Sequence, residues 1–149
     1  MNDASNALVF PGVAKLLGYA GVIPFVALAV SVVMNIDAGV PEPQAKLLGY
    51  GAVIISFIGA VHWGLALTSA SSLRSKLFLY SVVPALVAWV WLFFSDRAGL
   101  IGMALTIIAM YFIDRKLLST LVPPAYLRMR AHLTIIVSVS LLLAAIRAV

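Results

Sequence analysis

Five long apolar stretches, divided by short polar or proline-bearing segments, set the pattern of this 149-residue chain. They cover residues 16–34, 47–68, 77–94, 98–113 and 132–147. A helix that crosses a bilayer needs about 20 mostly apolar residues, each rising about 1.5 Å. Three stretches sit near that length, and 98–113 and 132–147, of 16 residues each, lie at its lower end. The pattern predicts an all-α fold: one polytopic membrane domain over 1–149, a bundle of five transmembrane helices.

Punctuation inside the stretches predicts local features. Pro24 removes a backbone donor and crowds the carbonyl of Ala20, and Pro84 does the same to Tyr80, so a kink is expected at each. Gly18 and Gly21 favour close helix contact, as do Gly99, Gly102 and Thr106, which form a small-residue stripe. Thr134 and Ser138 stand four apart, suited to a hydrogen bond between helices. Trp89, Trp91, Phe93 and Phe94 read as an interfacial aromatic belt. Residues 114–131 form the longest and most basic connection. Its second half suits a helix start at Pro124 that runs on into the last span. Lys15–Tyr19 and Lys46–Tyr50 share the sequence KLLGY. Chance in an apolar alphabet and a duplicated helix unit both account for that echo.

Composition supports lipid as the solvent. The chain is 64% hydrophobic and 10% charged, with mean hydropathy +1.13. Soluble domains are about half apolar and a quarter charged. No Cys is present, which excludes disulfides, thiolate catalysis and Cys-ligated metal. Met1–Val13 has no Lys or Arg, so neither a secretory signal nor a mitochondrial presequence is expected. The net charge of +5 reads as topology control and contact with anionic lipid, not as nucleic-acid binding. Lys15, Arg74, Lys76, Arg115, Lys116, Arg128 and Arg130 fall on one side of a five-span map; Lys46, Arg97 and Arg147 fall on the other. The positive-inside rule then puts the N-terminus in the cytoplasm and the C-terminus in the periplasm.

The runs Leu17-Gly18-Tyr19 with Pro24-Phe25, Tyr50-Gly51-Ala52 with Gly59-Ala60-Val61-His62-Trp63-Gly64, and Tyr126-Leu127-Arg128 with Arg130 and Leu133-Thr134 resemble a family of small bacterial membrane proteins. That family is a domain of unknown function with mitochondrial transmembrane relatives in eukaryotes. The resemblance runs from about Leu17 to Leu142, and Gly59–Gly64 is its most specific piece. It implies a multi-pass inner-membrane protein and brings no activity and no catalytic residues.

The chemistry rests on few side chains. His62 lies about six residues into its span, roughly 9 Å deep, and an ionisable group at such depth is a functional candidate. Three readings stand: a structural hydrogen bond to a freed carbonyl or a neighbouring hydroxyl, a ligand or proton site, and a metal ligand. His132 is expected at the interface, and that mismatch of depth argues against bis-histidine haem. His62, Trp63 and Tyr126 together suit the head of a quinone or lipid. Arg115, Lys116, Arg128 and Arg130 suit phospholipid heads or a partner loop, and Asp114 suits a surface ion pair with Arg128. No Asp or Glu is expected inside the membrane. No catalytic set, metal cluster or phosphate loop is legible, so no cofactor is expected.

The expected function is that of a non-enzymatic accessory or assembly subunit of a larger inner-membrane complex. The alternative is a binder or carrier of a small apolar ligand, quinone or lipid, that uses His62. A membrane enzyme of unrecognised type ranks below both.

Overall fold

The computed structural model describes residues 11–36, 41–69, 71–94 and 96–148. Expectations for residues 1–10, for the centre of the 35–44 loop and for Ser95 lie outside the described residues. Six α-helices follow in order: α1 (Gly12–Ala20), α2 (Ile23–Met34), α3 (Pro43–Thr68), α4 (Ser71–Trp91), α5 (Arg97–Leu117) and α6 (Pro124–Arg147). With α1 and α2 counted as one broken span, five helical segments are long and apolar enough to cross a membrane.

The break between α1 and α2 has a local cause. Pro24 sits at the second position of α2, where its missing N–H costs nothing. The preceding turn closes through Gly21 N to the Leu17 carbonyl (3.0 Å) and Val22 N to the Tyr19 carbonyl (3.0 Å). The Tyr50 hydroxyl donates to the Gly21 carbonyl at 2.9 Å. So the expected kink is a break, and a tyrosine from α3 satisfies the carbonyl left exposed there. Pro84 by contrast lies inside α4, which remains one helix.

Helices α5 and α6 reach further than hydropathy predicts. The fourth span was expected to stop at Ile113; α5 continues through Asp114, Arg115 and Lys116. The fifth was expected from residue 132; α6 begins at Pro124, as the proline pair allowed. The Asp96-Arg97 turn, which its charge alone marks as a solvated turn, is anchored to both α5 and α6. Asp96 accepts from Ala98 N (2.9 Å) and caps α5, while Arg97 donates to the Ala145 and Ala148 carbonyls at the end of α6.

The bundle pairs α3 with α4 and α5 with α6, with α2 laid against α3 and α6. Phe25, Leu47, Ile55, Leu100, Met103, Ile107 and Leu141 fill the interior. Their equivalents on the outside are also apolar: Phe57, Leu79, Phe93 and Ile146 are each 69% exposed. A lipid-facing surface needs no polar coat, so packing and polar contacts, not burial from water, hold the helices together. Two glycines set how close they come. A Cβ at Gly59 would strike the Ser81 carbonyl of α4, and one at Gly102 would strike the Trp91 ring. The Gly99–Gly102–Thr106 stripe is therefore internal: Trp91 lies on it and donates from Nε1 to Thr106 Oγ1 (3.1 Å). Trp91 thus leaves the expected aromatic belt, while Trp89, Phe93 and Phe94 remain exposed.

Candidate functional site

Three spans meet at a buried polar cluster. His62 of α3 and Asp114 of α5 are fully buried and Arg130 of α6 is 5% exposed. Each lies on the inward stripe of its helix. His62 continues the row of Ile55, Ile58, Gly59 and Ala66. Asp114 continues the row of Met103, Ile107 and Met110. Arg130 is followed by Thr134, Val137 and Ser138. Helical spacing of three and four places each set on one face.

Asp114 Oδ2 accepts from Arg130 Nε (3.1 Å) and Nη2 (2.9 Å). His62 Nε2 stands 2.9 Å from Asp114 Oδ1. His62 Nδ1 lies 3.0 Å from the Ile58 carbonyl of its own helix. A carbonyl only accepts, so Nδ1 carries the hydrogen of that bond. The Nε2–Oδ1 approach is a close contact without hydrogen-bond alignment, and both atoms lack a hydrogen-bond partner among the described residues. The Tyr80 ring meets His62 edge-on, centroids 4.8 Å apart.

Four expectations are corrected here. An acidic residue does lie within a span: Asp114 is buried in α5, where Arg130 offsets the cost of its charge. Its partner is Arg130, not Arg128, and the pair is interior; Arg128 is exposed. His62 also takes neither the Ala20 nor the Tyr80 carbonyl. Thr134 and Ser138 do not bond a neighbouring helix: both hydroxyls are buried without a partner among the described residues.

Beside the cluster lies a cavity of about 380 Å³, bounded by α1, the Gly21–Val22 turn, Phe25, the Ile54–Val61 face of α3, Ile107, and the Tyr126–Val137 face of α6. Its lining is mostly apolar, and Tyr126, Arg130 and Thr134 are the lining residues with polar side chains. The volume lies within the usual range of ligand pockets, roughly 300–1,000 Å³. Leu17 and Phe57 on its rim are 66% and 69% exposed, so it opens sideways toward lipid. Arg130 belongs to both features: it holds Asp114 and lines the cavity.

The three residues expected around a ligand head are separated. Tyr126 lines the cavity, His62 sits behind the Arg130–Asp114 pair, and Trp63 faces outward, its ring edge-on to Phe78 at 4.9 Å. Arg115 and Lys116 are exposed in the last turn of α5, where cations suit the helix dipole. His132 is exposed, with Nδ1 3.1 Å from the Tyr19 hydroxyl, so the two histidines serve different contacts. Asp114 was the residue that hydropathy hid, although its four-residue spacing from Met110 marked it as inward-facing. Among the described residues no group of three potential ligands converges to hold a metal ion.

A family model described as "Protein of unknown function (DUF3429)" matches residues 10–146. The chain is similar to transmembrane protein 69 of Xenopus tropicalis, 38% identical over 138 residues, covering 88% of this chain and 53% of the frog protein. It is also similar to transmembrane protein 69 of Mus musculus, 29% identical over 89 residues, covering 58% of this chain and 36% of the mouse protein. The chain thus spans about half or less of the length of these curated relatives. No solved structure matches it.

Proposed function

Since the chain belongs to the DUF3429 family, a family of unknown function, the site must supply the reading, and we propose that this multi-pass membrane protein binds a small lipophilic ligand of the quinone or lipid class. The cavity carries the proposal: an apolar chamber, open to the acyl chains, with Arg130, Thr134 and Tyr126 at its polar part. Such a chamber accepts a hydrocarbon tail from the bilayer and sets a polar head against few groups. The reading is non-enzymatic and places the protein in the cytoplasmic (inner) membrane of the cell, on the charge pattern of its connections. His62 contributes indirectly: it contacts Asp114, which holds Arg130 on the cavity wall.

The accessory-subunit reading drew on small-residue stripes, a basic cytoplasmic loop and the lack of a legible catalytic set. The stripe at Gly102 and Thr106 is taken up by Trp91 of the same chain, which leaves that reading with less support than the cavity has.

The test is equilibrium binding of a decyl-tailed benzoquinone to the purified chain in nanodiscs. Val61 lines the cavity, so Val61→Trp fills it. Saturable binding by the wild type, lost in a folded Val61→Trp protein, supports the proposal. Binding that is only partitioning, linear in probe and equal in both proteins, refutes it.

A further inference from the structure

Helices α1 and α6 belong to the first and last spans of the bundle and run through it in the same direction. Their seam is close: a Cβ on Gly18 would stand 3.0 Å from Met129 Sδ and 3.5 Å from Leu133. The Tyr19 hydroxyl and His132 Nδ1 meet across it at 3.1 Å. That contact fixes the register. Lys15 stands four residues before Tyr19 and Arg128 four before His132, so each lies one helical turn, about 6 Å, nearer the same end of the bundle. Both are exposed. The register thus sets two cations abreast on the two sides of one seam.

No acid answers them among the described residues. Glu42 and Asp96 start α3 and α5 at the opposite end, and Asp114 is buried with Arg130. Neither Lys15 nor Arg128 forms an ion pair among the described residues. A bias of Lys and Arg toward one side of the membrane explains their depth. It does not explain two of them facing each other, where like charges repel. The cavity lies on the same seam. Ala14, Leu17 and Gly18 of α1 and Tyr126, Met129 and Leu133 of α6 line it, so the two cations flank its polar end. Arg130 within that end is already balanced by Asp114, which leaves the outer pair as the uncompensated charge.

We propose that this seam holds the head of an anionic phospholipid, its phosphate between Lys15 and Arg128 and one acyl chain in the apolar cavity. The assignment rests on the cavity reading above and narrows it from the quinone or lipid class to a lipid with a net negative head. A phosphate accepts from guanidinium and ammonium groups together. Long basic side chains at the interface reach the head-group level with their stems along apolar surface. A quinone shares the tail and offers these cations no charge. A zwitterionic head brings its own cation to a place that already holds two.

The experiment uses decyl phosphate and decyl-benzoquinone, probes with the same tail, on the full chain in phosphatidylcholine nanodiscs. The wild type is expected to bind decyl phosphate at least about tenfold more tightly. Lys15→Gln with Arg128→Gln, both at exposed positions, should remove most of that preference and leave the quinone affinity unchanged. Arg74→Gln with Lys76→Gln is the control. It takes the same charge from the same side, at exposed positions of α4, a helix that supplies no wall of the cavity, and the preference should survive it. A folded Val61→Trp protein should lose decyl phosphate as it loses the quinone. Equal affinity for the two probes in the wild type, an equal loss in both double variants, or full decyl phosphate binding by Val61→Trp overturns the head site and leaves the cavity to be judged by the quinone alone. Saturable binding of neither probe overturns the two together.

Discussion

Asp114 sits where an acid is most expensive, fully buried in a helix of a membrane bundle. Its two oxygens are divided between Arg130 and His62, which ties α5 to α6 and α3 at one point. Removing one partner of a buried pair leaves the other uncompensated, at about 3–5 kcal/mol. Asp114→Asn and Arg130→Gln should therefore each lower stability by an amount of that order, read as a fall in melting temperature in one detergent. Arg128→Gln, at an exposed position, should stay within about 0.5 kcal/mol. A large effect at Arg128 and none at Arg130 would restore the surface pair that the sequence suggests. That pair was misjudged for a physical reason. A hydropathy scan treats a charge as the end of a span, but backbone hydrogen bonds continue the helix, and the compensating groups lie 16 and 52 residues away in sequence. The helical spacing Met110–Asp114 held the signal; the identity of the partner was not local information.

At the scale of the element, close approach is what the small residues allow. Gly59 lets α4 pass against α3 with the Ser81 carbonyl in the space a side chain would take. Gly59→Ala should cost about 1–3 kcal/mol by overpacking, because the opposing atom is backbone and cannot swing away. A melt of Gly59→Ala equal to wild type would mean that the two helices do not cross so closely. Tyr50→Phe removes the donor to the Gly21 carbonyl at the α1–α2 break. A loss of about 1 kcal/mol is expected, with faster proteolysis near Gly21 as the local reading. Pro24 was visible in the sequence as a kink and Gly21 as a close-contact residue, while Gly59 was visible only within the Gly59–Gly64 run. That Pro24 splits the first span, and that a tyrosine from the echoed KLLGY segment bonds the gap, depended on which helix lay alongside. The echo has no common structural use: Tyr19 meets His132, and Tyr50 meets Gly21.

For the whole molecule, an odd number of spans places the two ends on opposite faces of the bilayer. Fused reporters at the N- and C-termini should give opposite accessibility, the N-terminal one cytoplasmic by the charge rule; the same side for both would remove one span. The five spans were legible because apolar runs of 16 to 22 residues are a strong local signal. The cavity was not, since its wall is assembled from α1, α2, α3, α5 and α6 and no single segment carries its outline. It is also where the account is most exposed. A decyl probe with a photoreactive diazirine, activated on the purified chain in nanodiscs and mapped by peptide mass spectrometry, reports which side chains the tail touches. The account predicts adducts concentrated at Leu17, Phe57, Ile58, Val61 and Leu133, and depleted in Val61→Trp. Adducts spread evenly over the outward faces at Leu79, Leu86, Phe93 and Ile146, and unchanged in Val61→Trp, would contradict it.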